Sequence, residues 1–153
     1  MHTVSINWSS DLEIGIPVID SQHKRILEYI SKVKSVQKNQ SRSEVMAVLD
    51  ELVDYTLSHF AFEETLIAEA GYPFLKAHLK VHALFTRRIE DYCQKAKAGM
   101  DVTDELLHTL QSWLVNHIQH DDRDYSKVVK ANLEEASRRV RTKKASWMTR
   151  LFG

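Results

Sequence analysis

Apolar residues recur at helical spacing in four stretches of the chain, and each stretch predicts an amphipathic helix. The four predicted helices cover residues 20–39, 41–70, 73–99 and 103–122. Asp20 or Ser21 can cap the first, and Ser41 stands three residues before Glu44, which is the spacing of a capping box. Thr103 can cap the fourth helix.

Four amphipathic helices joined by short turns can bury their apolar stripes against one another in an antiparallel bundle. The stripes contain Ile26, Leu27, Ile30 and Val33; Val45, Leu49, Leu52, Thr56, Leu66 and Ile67; Phe74, Val81, Phe85, Ile89 and Tyr92; and Leu106, Leu107, Leu110, Trp113, Leu114 and Ile118. Pro73 is well placed for the first turn of the third helix. The pattern therefore predicts an all-α, up-down four-helix bundle with an N-terminal arm.

The end of the chain departs from the bundle pattern. We expect residues 1–125 to form the bundle and residues 126–153 to be a C-terminal extension, either a basic tail or an accessory helix. Residues 138–153 contain six basic residues and no acidic one, with Trp147, Met148, Leu151 and Phe152 near the end. Such a segment suits a membrane surface or a protein partner. The simpler interpretation, which we prefer from the sequence, is a helix packed back onto the bundle or a frayed, solvated end.

Composition narrows the classes of function. The 153 residues fit one domain, and 21 basic residues balance 21 acidic ones, so no global charge attracts nucleic acid or an anionic membrane, and any electrostatic attraction must be local. No apolar run approaches the roughly 20 residues that span a bilayer. The single cysteine, Cys93, cannot form an internal disulfide, and the first ten residues lack the apolar stretch of a secretory signal. We expect a cytoplasmic protein.

Polar residues interrupt the apolar stripes at helical spacing. On the second helix His59 and Glu63 lie four residues apart, and on the third helix His78 and His82 repeat that spacing. The same inward faces of the first and fourth helices carry His23 and His117. Each predicted helix thus directs at least one histidine into the core.

These inward residues predict a metal site. A single histidine on an apolar face is usually a core residue that is hydrogen-bonded to a carbonyl. Five histidines and a glutamate would each need a partner or cost about 1–3 kcal/mol. A bound metal supplies the charge and the electron-pair acceptor that they need. Five imidazoles exceed a tetrahedral zinc site, so two octahedral first-row ions, naturally iron, fit better.

Four stretches resemble the signature of the hemerythrin family, and most closely that of bacteriohemerythrins. They are DSQHKRI at 20–26, HFAFEE at 59–64, HLKVH at 78–82 and HIQHDDRDY at 117–125. Trp8, the GYP turn at 71–73 and WLVNHI at 113–118 fit as well. The resemblance covers Trp8 to about Tyr125 and implies reversible dioxygen binding by a bacterial, non-enzymatic protein that serves oxygen storage, delivery or supply.

The resemblance also implies the role of each site residue. His78, His82 and His117 would bind one non-haem iron, and His23 and His59 the other. Glu63, Asp122 and an oxo or hydroxo group would bridge the two ions and leave one coordination position of the second iron for dioxygen. An apolar pocket around the gas would be formed by Phe60, Trp113, Leu114 and Ile118.

The family pattern indicates Asp122 as the metal ligand, whereas helical periodicity favours Asp121. Asp121 lies four residues after His117, whereas Asp122 lies five after it, about 140° around an ideal helix. We therefore expect a local bulge there. His120 falls between the signature positions, and His2 and His108 have no partner at metal-ligand spacing, so we expect all three at the surface.

Two other classes of function stay open. The chain could be a dioxygen or redox sensor that signals to a partner, through the extension for example. It could also be a di-iron enzyme that acts on peroxide or nitric oxide. A site dominated by neutral imidazoles carries little ligand charge to stabilise highly oxidised iron. That balance favours oxygen carriage over oxidation.

Overall fold

The computed structural model describes residues 8–39 and 41–152, and these residues form helices and turns without any strand. A 3-10 turn at Ser10–Leu12 precedes α1 (Pro17–Asn39), α2 (Arg42–Glu69), α3 (Leu75–Lys97), α4 (Thr103–His117), a π-helical turn at Ile118–Asp122, and α5 (Arg123–Phe152). Because α4, the π turn and α5 follow one another directly, they form one long rod. Four antiparallel rods result, which confirms the predicted all-α bundle.

The predicted stripes form the core, with one exception. Ile26, Leu49 and Leu52 are almost completely buried, as are most of the other stripe residues. Phe74 is 63% exposed, so its assignment to the inner face was wrong. The reason is that Phe74 is the N-cap of α3, where the backbone has left helical geometry and the helical period does not apply.

The first helix begins one turn earlier than the sequence pattern suggested. Pro17 occupies its first position, where a fixed φ and a missing N–H are no disadvantage. The Asp20 carboxylate accepts hydrogen bonds from the N–H groups of Ile14 and Gly15 at 2.8 and 3.1 Å, so it stabilises the preceding arm. Gly15 has φ +84°, a conformation that favours glycine.

The caps of the later helices are partly as predicted. Ser41 caps α2, since its hydroxyl accepts a hydrogen bond from the Glu44 N–H at 3.4 Å. Thr103 is the first residue of α4 and not its cap, and Asp101 accepts the Thr103 N–H at 3.4 Å instead. Pro73 lies in the turn before α3. These differences shift boundaries by a few residues and leave the bundle unchanged.

The C-terminal extension is a helix that continues the fourth rod. Tyr125 and Val129 on α5 are 0% and 1% exposed, so α5 is part of the core as far as Val129. From Ala131 onward no described side chain of α5 is buried. The preferred interpretation of a helix packed back onto the bundle is therefore wrong from Ala131 onward. No helix of the described part has the length and apolarity needed to cross a membrane.

Replacing a core leucine tests this packing. Leu52 on α2 is 0% exposed, and we expect Leu52→Ala to lower the free energy of unfolding by about 2–5 kcal/mol, because it removes buried methyl groups and leaves a cavity. Leu84→Ala on α3 is the matched control, since Leu84 is 58% exposed. Urea titration followed by circular dichroism measures both. Equal losses for the two variants would contradict the core assignment.

Candidate metal centre

Seven predicted ligand side chains meet at one level inside the bundle, and each of them is at most 4% exposed. Every rod contributes to this cluster. Its members are His23 on α1, His59 and Glu63 on α2, His78 and His82 on α3, His117 on α4, and Asp122 in the π turn. Residues far apart in sequence thus supply a closed set of nitrogen and oxygen donors.

The donors fall into two groups that share Glu63. One comprises Glu63, His78, His82, His117 and Asp122, and the other comprises His23, His59 and Glu63. In each group the ligand atoms lie within 4.8 Å of one another, which is the spacing of donors around a single ion.

The carboxylate of Glu63 divides its oxygens between the two groups. Oε1 lies 2.8 Å from His78 Nε2 and 3.2 Å from His82 Nε2. Oε2 lies 3.2 Å from His59 Nε2 and 3.7 Å from His23 Nε2. A carboxylate oriented in this way can bind a different ion through each oxygen.

Asp122 divides its oxygens in the same manner. Oδ1 lies 3.0 Å from His117 Nε2 and 3.3 Å from His78 Nε2, and Oδ2 lies 3.2 Å from His23 Nε2. The two carboxylates therefore span the same two positions. This arrangement could hold metal ions at both positions.

The expected bulge is present and brings Asp122 to the cluster. The π-helical turn at Ile118–Asp122 places residues five apart in line, so Asp122 lies on the face of His117. Asp121 is directed to the other side of His117, where its Oδ2 accepts a hydrogen bond from the Nδ1–H at 2.8 Å. His120 and His108 are exposed, as expected, and His2 lies outside the described residues.

Three neighbours of the predicted ligands orient the imidazoles from outside the cluster. His59 Nδ1–H donates to Gln22 Oε1 at 2.6 Å, and His82 Nδ1–H donates to Glu64 Oε1 at 3.1 Å. Asp121 is the third such acceptor. A hydrogen bond at Nδ1 fixes the tautomer that presents the Nε2 lone pair to a metal. Sequence reasoning missed these roles, although each acceptor directly adjoins a predicted ligand.

Several buried polar atoms of the cluster have no hydrogen-bond partner among the described residues. They are both ring nitrogens of His23, Nε2 of His59, Oε2 of Glu63 and both oxygens of Asp122. Such orphaned atoms are costly in a protein core. Nε2 of His82 and Nε2 of His117 face each other at 2.8 Å. Metal ions between these donors would remove the penalty, so the residues present fit a non-haem metal site.

Charge in the cluster is balanced by protons when no metal binds. Burial lowers the pKa of His23, but the adjacent Asp122 and Glu63 carboxylates outweigh it and raise this pKa to about 9. The same balance raises the pKa of His78 to about 9 and that of His117 to about 10. Burial raises the pKa of Glu63, yet the imidazoles outweigh it and hold the pKa well below its ordinary value.

Aromatic rings cover the side of the cluster that holds three histidines. Phe60 stacks on the His82 imidazole with ring centroids 4.1 Å apart, and Trp113 stacks on His117 at 4.3 Å. Phe85, which was predicted only as a core residue, stacks on Trp113 at 3.8 Å. Phe60 also lies 6.0 Å from His59, so it reaches both groups.

The other predicted pocket residues, Leu114 and Ile118, are 1% and 0% exposed. Their role around a gas molecule stays a prediction. Glu105 and His108 have the Glu-x-x-His spacing of carboxylate-rich di-iron bundles. Both are exposed and lie outside the cluster.

Comparison with known proteins gives a consistent result. A family model described as Hemerythrin HHE cation binding domain matches residues 14–129. The chain is 50% identical over 131 residues to a bacteriohemerythrin of Stenotrophomonas maltophilia, covering 86% of each chain. It is 34% identical over 128 residues to a bacteriohemerythrin of Methylococcus capsulatus, covering 82% of this chain and 98% of that one.

A solved structure is similar as well. The crystal structure of wild-type hemerythrin matches with a TM-score of 0.77 at 30% identity, over 81% of this chain and 97% of that one. The matched region of the family model contains all seven side chains of the buried cluster. From this extent of similarity and from the four-helix architecture, the chain belongs to the hemerythrin family.

Proposed function

We propose that this protein binds dioxygen reversibly at a non-haem di-iron centre and thereby stores, delivers or supplies oxygen. One observation carries the proposal. Each of two buried carboxylates directs one oxygen to His78, His82 or His117 and the other to His23 or His59. The hemerythrin family typically binds oxygen at a di-iron site, which agrees with this geometry.

The proposed ligand set is unequal, and the inequality supports a binding position. His78, His82 and His117 would hold one iron, whereas only His23 and His59 would hold the other, with Glu63 and Asp122 bridging both together with an oxo or hydroxo group. Because the iron beside His23 and His59 would have fewer protein donors, it would have room for a small ligand. The two ferrous ions would supply the electrons that dioxygen accepts when it binds.

The residues around the cluster would protect bound dioxygen from water. Phe60, Leu114 and Ile118 are buried and apolar, and the half-buried Trp113 packs on His117, so water is excluded from this side.

Burial raises the pKa of Tyr125 far above its ordinary value, as do the nearby charges of Glu63 and Asp122. Its phenol therefore stays protonated beside both carboxylates.

The donor set favours carriage over catalysis. Five neutral imidazoles and two carboxylates give the irons less negative charge than a carboxylate-rich site, so highly oxidised iron gains less stabilisation. The proposed role is accordingly that of a binding protein with dioxygen as its ligand. We also propose a bacterial cytoplasmic setting, where a single unpaired cysteine such as Cys93 is common.

An iron assay combined with a visible spectrum tests the proposal. The expected result is two irons per chain and a coloured form that appears in air and fades under argon. Iron that passes in air to a stable, unchanging oxidised form would favour the sensor or the peroxide and nitric oxide enzyme. A protein that takes up no iron would contradict the proposal altogether.

Removal of a single ligand should reduce iron content. We expect His82→Ala to lose tight binding of one iron, because it removes a donor from the three-histidine group. His120→Ala is the matched control, since His120 is an exposed histidine near the same site. Iron is measured by a colorimetric assay after desalting. A His82 variant that keeps two irons and full oxygenation would refute the ligand assignment.

Polarity in the pocket should control autoxidation. We expect Leu114→Asn to speed autoxidation roughly tenfold or more while iron content stays the same, because a polar group admits water next to the site. Leu84→Asn makes the same change at an exposed position and should leave the rate unaltered. The decay of the oxygenated spectrum gives both rates. An unchanged rate in the Leu114 variant would show that this residue does not shield the gas.

Metal should also change how stability depends on pH. In the metal-free protein the pKa values of His23, His78 and His117 are raised to about 9, 9 and 10. The protonated histidines contribute fully to the free energy of unfolding below their unfolded-state pKa of about 6.5. This contribution is lost as the pH rises through their folded-state pKa values. We expect the unfolding free energy of metal-free protein to fall between pH 7 and 10. Iron replaces the protons, so loaded protein should show a smaller decline.

Urea titrations at successive pH values measure this difference. A metal-free protein whose stability is constant from pH 7 to 10 would show that the cluster does not retain those protons.

A further inference from the structure

The distal part of α5 extends beyond the bundle as a helix with no partner within the described chain. Residues 131–152 remain helical, and none of their described side chains is buried. At 1.5 Å per residue this distal helix is about 33 Å long. It contains no glycine or proline, so nothing in it interrupts helical geometry. The family model ends at residue 129, just before it.

The distal helix has an exposed apolar stripe. Leu133, Val140 and Trp147 lie seven residues apart, and Leu151 follows one turn later, so the four share one face. They are 40%, 66%, 61% and 57% exposed, and Met148 at the edge of the stripe is 46% exposed. Apolar side chains of this size, concentrated on one face, indicate a surface that a partner covers.

The rest of the distal helix is strongly basic. From Arg138 to the C-terminus there are six basic residues and no acidic one, although the whole chain is neutral. The residues before Arg138 therefore carry six more acidic than basic side chains. Arg138 and Arg139 form ion pairs with Glu135, whereas Lys143, Lys144 and Arg150 are exposed and have no acidic neighbour on the following turns. Positive charge is thus concentrated at residues 138–144, and Arg150 adds one more cation near the tip.

We propose that the distal helix binds the headgroup region of an anionic phospholipid membrane. A basic helix with one apolar face lies in the plane of such a surface, where its apolar side chains enter the acyl boundary and its cations meet lipid phosphates. Trp147 suits this boundary because indole is apolar with one polar N–H. The proposal explains the stripe and the charge together.

The same features argue against a second copy of the chain as the occupant. Parallel pairing of two distal helices would bring their basic segments together. A coiled coil also needs apolar residues between the sevenfold positions, and here Ser137 and Lys144 occupy the stripe between Leu133, Val140 and Trp147. Nucleic acid would neutralise the cations but leave the apolar stripe in water.

Vesicle co-sedimentation of the full chain tests the proposal. The probe is a vesicle of phosphatidylglycerol and phosphatidylcholine in equal parts, with pure phosphatidylcholine as the neutral comparison. We expect binding to the anionic vesicles alone, weakened by salt, with a blue shift of tryptophan emission that Trp147→Phe removes. The triple variant Lys143→Gln, Lys144→Gln, Arg150→Gln should bind on the order of 100-fold more weakly.

Matched variants separate specific docking from general charge. Arg87→Gln, Arg88→Gln and Lys97→Gln remove the same charge from exposed positions on α3 and should leave vesicle binding unchanged. Trp147→Ala with Leu151→Ala should weaken it roughly tenfold or more, because the apolar anchor is lost. Iron content and circular dichroism of every variant confirm that the bundle is intact.

Two results would overturn the proposal. One is absence of binding to anionic vesicles, and the other is equal binding to neutral ones. If the first result is accompanied by a dimer in sedimentation equilibrium that the triple variant abolishes, a second copy is the occupant.

Discussion

Glu63 and Asp122 carry negative charge at a depth that water does not reach, and the centre of the bundle is organised around neutralising it. Both side chains are 0% exposed, and five imidazoles from four rods surround them. Removing such charges from water costs several kcal/mol each unless opposite charge is close. Protons on the histidines provide it in the metal-free protein, and two metal ions would provide it in the loaded one. The bundle supplies the frame in which either form can be held.

This constraint explains the second layer of contacts. Imidazoles that present Nε2 to the centre need hydrogen-bond acceptors for their Nδ1–H groups. Gln22, Glu64 and Asp121 accept three of these hydrogen bonds. Two of these acceptors are carboxylates, and both serve the group with three histidines. The group of His23 and His59 has an amide acceptor only. The two groups of donors therefore differ in donor number and in the charge of their surroundings.

Helical periodicity predicted the bundle and placed six of the seven cluster residues, the five histidines and Glu63, on inward faces, because the period states which face a side chain occupies. The choice of Asp122 came from resemblance, and periodicity alone would have selected Asp121. A π turn is invisible to a 3.6-residue period, although the spacing of His117 and Asp122 required one. The contacts of Gln22 and Glu64 depend on packing between rods. Phe74 was misassigned because the helical period was extended past the end of a helix.

The distribution of charge divides the molecule into an acidic bundle and a basic distal helix. The bundle, with its excess of acidic residues, encloses a polar centre, whereas the distal helix exposes apolar and basic side chains to the surroundings. A continuous helix from the π turn to the tip connects them, so a bound distal helix would hold the proposed oxygen site close to its docking surface.

Anomalous diffraction at the iron edge, from crystals of the iron-loaded protein, tests the central claim most directly. We expect two iron peaks per chain, one beside His78, His82 and His117 and one beside His23 and His59, with one oxygen each of Glu63 and Asp122 on either ion. A single peak, or two peaks that share neither carboxylate, would contradict it.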